Sequence, residues 1–209
     1  MSRTISLDPG WEGAIALFVN DKFVNVQSMP LLRVETVPKL EQFDLKDGKK
    51  QVIKSGPNKG KFKMKLRRAA KYEKILDIGI IFSLMKMSDI IVIEQQSCRP
   101  GNGSTQCAKT MTNYGRLLGM AEVCKSLYDT ELHIAIPSVW KRDMHITMSK
   151  DEKKACGSPT LVTETLKAKA CSLARSLFPG NDFKTAKGRM LDGQAEACIL
   201  GQWHINKEI

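Results

Sequence analysis

Four carboxylates stand where acidic side chains could work together. Asp8 closes the apolar stretch ISLD directly before Pro9-Gly10. Glu94 closes DIIVIE, a run of consecutive branched apolar residues between acidic ends. Asp192 and Glu196 lie four residues apart in DGQAEACILGQW, so on a helix they share one face. Open α/β sheets place their ligands beyond the ends of central strands. Acids gathered there would repel one another and resist leaving water, and their pKa values would rise. Divalent cations relieve that repulsion. Mg²⁺ takes oxygen ligands and often joins carboxylates to phosphate oxygens, and Mn²⁺ can stand in for it. Two such ions about 3.5–4 Å apart can activate a water and stabilise the leaving oxygen of a phosphodiester. Metal-assisted phosphodiester hydrolysis is therefore the chemistry of the set. Taken singly, each acid has a plainer role. Asp8 can be a turn residue, Glu94 a strand-end charge, Asp192 a first-turn acid favoured by the helix dipole, and Glu196 a solvated helix residue.

The elements that would carry these acids can be read from the pattern. Residues 4–7, 14–19 and 23–26 read as three strands, with a turn at Asp8-Pro9-Gly10 and a tight connection at Asn20-Asp21. Residues 66–87 show apolar positions at helical spacing, and 89–94 read as a strand buried on both faces. A glycine-rich polar loop follows, SCRPGNGST, leading into a helix over 105–127. Residues 132–136 form another short strand, stopped by Pro137, which opens a short helix. Residues 149–158 look like a polar connection, and 160–178 and 190–203 like helices. The order is an α/β domain: a mixed sheet flanked by helices.

The composition narrows the partner. Thirty-three basic against 22 acidic side chains give 209 residues a net charge of +11, which calls for a polyanion. A membrane surface fits poorly, because the longest apolar stretch, near 75–87, is broken by Asp77, Ser83 and Lys86. No secretory leader pattern opens the chain, and the six cysteines show no C-x-x-C pair, which reads as reduced intracellular thiols without a zinc site. Residues 39–74 hold thirteen basic and four acidic side chains, a net +9, and include Lys61, Lys63, Arg67 and Arg68. Such a one-sided segment reads as a phosphate-contacting arm, or else as a solvated insertion. The loop after Glu94 is the candidate for touching nucleic acid: Asn102 and Gln106 could bond base edges, and Arg99 a phosphate or a guanine.

The same segments resemble a known family. ISLDPGWEGAIALF is similar to the first strand and hairpin of RuvC-like Holliday junction resolvases. IVIEQQSCRPGNGSTQCAKTMTNYGRLLGM resembles their strand-Glu, glycine-containing loop and N-[YF]-G-R-x-x-G helix. IAIPSVWKRDM and DGQAEACILGQW resemble their fifth strand with P-x-x-W-K and their closing acidic helix. The matches run in family order from about 4 to 203, with the flavour of the phage or viral branch. The last two acids are four apart here, against three in the bacterial pattern, and Ser97 stands where bacterial members carry an aromatic wedge.

The resemblance implies a ribonuclease H-like five-stranded mixed sheet with a basic insertion at about 33–65, within one nuclease domain. It also implies a homodimer that holds a four-way DNA junction and cuts paired strands with Mg²⁺, inside the cell. Asp8, Glu94, Asp192 and Glu196 match the family's metal-binding acids. Lys141 matches a basic residue near the scissile phosphate, and Lys150 or Lys153 another. Other readings are a ribonuclease H-like nuclease on flaps or hybrids, a non-catalytic binder of branched DNA, and an actin-like phosphotransferase. The helix over 105–127, with Met111, Tyr114, Leu118 and Ala121 in a stripe, is the expected dimer face.

Overall fold

The computed structural model describes residues 1–208 other than 11, 38–39, 44, 47–48, 69–70 and 97–104; within that range the side chains at 37–48, 65–70 and 97–109 are also outside the described set. The chain folds as two compact units, Met1–Pro30 with Ile78–Ile209, and Leu31–Asp77.

The first unit opens with a meander, β1 (Arg3–Asp8), β2 (Ala14–Val19) and β3 (Lys22–Ser28). Asn20 and Asp21 join β2 to β3 with φ of 48° and 62°. Two positive-φ residues make the tight hairpin whose twist suits the strands, and Asn and Asp tolerate that region.

The second unit is built from paired strands alone: β4 (Leu31–Val37), β5 (Leu40–Phe43), β6 (Leu45–Lys46), β7 (Lys49–Lys50), β8 (Met64–Arg68) and β9 (Lys71–Leu76). The antiparallel pairs are β4 with β9, β5 with β8 and β6 with β7. Here the expected helix over 66–87 is corrected. Its first half is strand, and α1 spans only Ile78–Lys86. Residues 71–76 satisfy their backbone groups against 31–37, a partner distant in sequence that local apolar spacing does not disclose.

Returning to the first unit, β10 (Ile90–Glu94) enters the sheet beside β1, α2 (Thr105–Tyr128) follows, and β11 (Glu131–Ala135) adds the far edge. The sheet order is β11-β10-β1-β2-β3, with β1, β10 and β11 parallel and β2 antiparallel to both β1 and β3. Then come α3 (Pro137–Asp143), α4 (Lys150–Ala155), α5 (Pro159–Leu177) and α6 (Asp192–Glu208). The stretch expected as a polar connection thus contains a helical turn. Ser149 Oγ accepts from the Glu152 N–H at 3.1 Å, and Glu152 accepts from the Ser149 N–H at 2.7 Å. This reciprocal S-x-x-E cap satisfies two otherwise orphaned donors.

Strand alternation and register place the acids. Leu7 pairs with Ile93, so Asp8 and Glu94 are the next residues on neighbouring parallel strands. They point to the same sheet face as Ser6 and Val92. That face is covered by α6. Phe18 and Val92 pack in one buried cluster with Ala195, Ala197, Cys198, Ile199 and Leu200. Ser6 Oγ donates to the Ala197 carbonyl at 2.6 Å, a buried bond that pins the helix on the strand. The helix lies so close that a Cβ on Gly201 would stand 2.2 Å from the Phe18 ring.

His204, on the same helix, is buried against the His133 ring with centroids 4.3 Å apart, and its Nε2 has no partner among the described residues. Burial, with the neighbouring His133, lowers its pKa, against the opposing pull of Glu208, Glu131 and Asp21. A histidine held neutral by folding binds its proton first in the unfolded chain. Its contribution is lost as pH falls from the unfolded value of about 6.5 toward the lower folded value. His204→Gln is expected to flatten the fall in melting temperature over that window. An unchanged slope would show that this imidazole does not set the acid limb.

Candidate active site

Asp8, at the last position of β1, is part-buried, and its Oδ1 accepts from the Gly10 N–H at 3.1 Å. Its pKa is pushed up to about 7, first by burial and then by the charges of Glu94 and Glu196; the Gly10 bond and Lys141 pull the other way. Glu94, at the last position of β10, is buried and accepts from Gln96 Nε2 at 3.1 Å. Burial raises its pKa as well; Lys141 opposes that rise and Glu196 adds to it.

Glu196 comes from α6, one turn after its start, and reaches the same place. Lys141, from the short helix that Pro137 opens, lies between the acids. Its Nζ is 2.7 Å from Glu196 Oε2 and 3.3 Å from Glu94 Oε1. Burial by itself would lower the Lys141 pKa, but the two carboxylates outweigh burial and raise it. Three acids share one ammonium, and their mutual repulsion adds to burial, the larger cause, in raising the pKa of Asp8.

Asp192 lies one turn earlier on α6 and is held by Lys167 of α5, Nζ to Oδ2 at 2.8 Å. Asp192 and Glu196 both line a cleft of about 500 Å³ together with Lys141, Lys153 and Lys167. So Asp8, Glu94, Glu196 and Lys141 form one cluster, with Asp192 one turn away on α6. Lys153 reaches the cleft wall, whereas Lys150 is exposed at the first position of α4. Arg99 and Asn102 lie outside the described residues, and so does the Gln106 side chain on α2. Lys61 and Lys63 are exposed in the unit Leu31–Asp77; Arg67 and Arg68 are on β8, with side chains outside the described set. Sequence reasoning passed over Lys167 and Gln96. Gln96 stands two residues beyond Glu94, where a searching eye could have found it, but Lys167 is one lysine among many.

The donor set is suited to a hard divalent cation. All four acids offer oxygen only, and a cation would favour the ionised form of Asp8 that burial and its neighbouring carboxylates disfavour. As the side chains are placed, no three acidic, histidine or cysteine groups among the described residues stand close enough to share one ion. Lys141 bridges two of the acids instead.

The sheet, a three-strand meander with two parallel strands added beside β1, has the mixed ribonuclease H-like order. No protein-family model matches the chain, and no curated protein sequence matches it. Among solved structures it is similar to Thermus thermophilus RuvC, at 11% identity and a TM-score of 0.42, covering 97% of this chain and 93% of that one. It is also similar to T. thermophilus RuvC in complex with a Holliday junction substrate, at 11% identity and a TM-score of 0.43, covering 97% and 92%. With superpositions this loose, what the site can do follows from its own side chains. No helix among the described residues is long and apolar enough to cross a membrane.

Proposed function

We propose that this chain is a divalent-metal-dependent endonuclease that resolves four-way DNA junctions by paired cuts, acting as a homodimer of the phage or viral RuvC-like type. The observation that carries the reading is the convergence of Asp8 and Glu94 from adjacent strand ends with Glu196 from α6, around the Lys141 ammonium. Asp8, Glu94, Glu196 and Asp192 would hold Mg²⁺, with Mn²⁺ as a substitute and two ions as the expected number. Bound there, such ions supply Lewis acidity toward a phosphodiester and a water of lowered pKa.

The chain's own groups do the remaining work. The Gly10 N–H fixes one oxygen of Asp8, and Gln96 fixes one oxygen of Glu94, so both carboxylates are held in place. Lys141 offers a positive charge to phosphoryl oxygens as charge develops on them. Lys150 and Lys153, with Arg99, Asn102 and Gln106 in the sequence that follows Glu94, are proposed DNA contacts. For the dimer, the expected stripe on α2 is partly spent inside the fold, since Tyr114 and Ala121 are buried. Ile78 and Phe82 on α1, with Gly119, Met120 and Val123 on α2, line one groove and offer an apolar face in its place.

The test is Mg²⁺-dependent cleavage of a fixed-sequence four-way junction with the cuts mapped, beside flap, linear duplex and RNA–DNA hybrid. Paired symmetric nicks in the junction are expected. Preferential cutting of flaps or hybrids would identify a different nuclease on the same fold, and tight junction binding with no Mg²⁺-dependent cutting a non-catalytic binder.

A further inference from the structure

The unit Leu31–Asp77 contains none of the site's carboxylates, yet it holds fourteen basic and six acidic side chains, a net +8 of the chain's +11. The other unit, more than three times as long, carries only +3, from nineteen basic and sixteen acidic residues. The positive charge is therefore concentrated on one structural unit rather than spread over the molecule.

The strands of that unit pair antiparallel in three separate two-stranded sets. Leu31–Val37 pairs with Lys71–Leu76, Leu40–Phe43 with Met64–Arg68, and Leu45–Lys46 with Lys49–Lys50. Beyond them, 51–53 pair with 60–63 through the Val52–Phe62 bridge, with N–H to carbonyl bonds from Ile53 to Lys61 at 2.9 Å and from Lys63 to Gln51 at 2.7 Å. The end turn uses Gly56 and Gly60 at φ of 82° and 88°. Lys54, Lys59, Lys61 and Lys63 surround this turn, all exposed.

The outer hairpin has no core of its own. Between 49 and 64 only Gln51 and Ile53 are even partly buried, while Val52, Phe62 and Met64 are exposed. A lone two-stranded hairpin is marginal in water, and exposed apolar residues among one-sided charge mark a surface made to be covered. A duplex answers both features. Its major groove, about 12 Å wide, admits a two-stranded ribbon, and phosphates line both rims. Lysine dominates the hairpin, and lysine meets phosphate as a point charge without reading sequence.

We infer that the unit Leu31–Asp77 is a duplex-DNA anchor, its outer hairpin inserted in a groove and held by phosphates through the lysines around its end turn, independently of the carboxylate site. As an anchor for the helical arms of the nuclease's substrate, this rests on the reading above; as a duplex-binding surface, it does not.

The test uses the full chain with Lys54, Lys59, Lys61 and Lys63 all changed to Gln, and the all-Arg variant as a charge-retaining control. Binding to linear duplex and to a single strand of equal length is measured against salt, with the metal chelated. The Gln variant should lose at least about tenfold in duplex affinity at ~0.1 M salt, and its log–log salt slope should fall by about two or more, since each lost phosphate contact removes about 0.9. The Arg variant should restore both. Duplex affinity and slope unchanged in the Gln variant would overturn the proposal, as would a loss confined to the single strand. Cleavage of a junction by the unaltered chain is scored separately. Failure to cut there defeats the nuclease reading and leaves the duplex anchor standing, whereas normal cutting with an unchanged slope does the reverse.

Discussion

Asp8→Asn should abolish cleavage and, with divalent ions chelated, make the protein more stable at about pH 8 than the unaltered chain. The first effect follows from position. Asp8 is central to the acid cluster, and losing it should cost about a thousandfold or more in rate, equivalent to roughly 4 kcal/mol of transition-state stabilisation. The second follows from electrostatics. Burial and the charges of Glu94 and Glu196 raise the Asp8 pKa from 3.8 to about 7. A carboxyl whose folded pKa lies above its unfolded value holds its proton longer in the folded state. It therefore costs stability as pH rises through that window, and the cost is complete above about pH 7. Asparagine carries no charge and escapes it, while its amide oxygen can still accept from the Gly10 N–H. The gain is bounded by the pKa shift at about 4 kcal/mol and should be smaller after relaxation. Melting temperatures of both proteins across pH in chelator measure it. A variant equally stabilised at about pH 4 and about pH 8 would sink the electrostatic account, since near pH 4 the folded carboxyl keeps its proton and little of the cost remains. The same shift predicts that a divalent ion displaces a proton on binding near neutral pH.

Gly193→Ala should damage the fold and the site together. A Cβ at this position would stand 2.0 Å from the Glu12 carbonyl oxygen and 3.0 Å from the Gly13 Cα. Both belong to backbone, which cannot rotate aside as a side chain end can. The start of α6 must move instead, carrying Asp192 and Glu196 with it. Alanine improves helix propensity by about 1 kcal/mol, but overpacking of this kind costs about 1–3 kcal/mol, so a net loss is expected. Displacing reacting groups by about an ångström costs up to about a hundredfold in rate. Gly115→Ala is the matched control, because a Cβ at this α2 glycine meets nothing within 4 Å. It should be neutral or stabilising. Equal stability and activity in the two variants would show that α6 is not seated as tightly as Gly193 requires.

Much of the sheet was legible in sequence because its strands are short apolar runs ended by strong punctuation. Pro9-Gly10, Asn20-Asp21 and Pro137 mark boundaries through local backbone preferences, which act whatever the rest of the chain does. The order of three strands and then alternating helix and strand was enough for the α/β class. The S-x-x-E cap at Ser149 was equally local and was overlooked. The second unit was misread where it depends on a distant partner. Tyr72 and Leu76 sit four apart, as on a helix face, and only pairing with Glu35 and Leu31 makes them strand.

The sequence by itself determined the chemistry on offer: four oxygen-donor acids, a strongly basic balance with most of its excess in one segment, and the strand-end placement of Asp8 and Glu94. Composition and local order carry that information without folding. Tertiary structure decided which acids meet and what stands among them. Parallel register set Asp8 beside Glu94, the close approach of α6 at Gly193 and Gly201 brought Glu196 to them, and α3 carried Lys141 between two of the three. It also gave Asp192 to Lys167 rather than to the cluster. These are distances between residues far apart along the chain, and they exist only once the sheet is paired and the helix is packed against it.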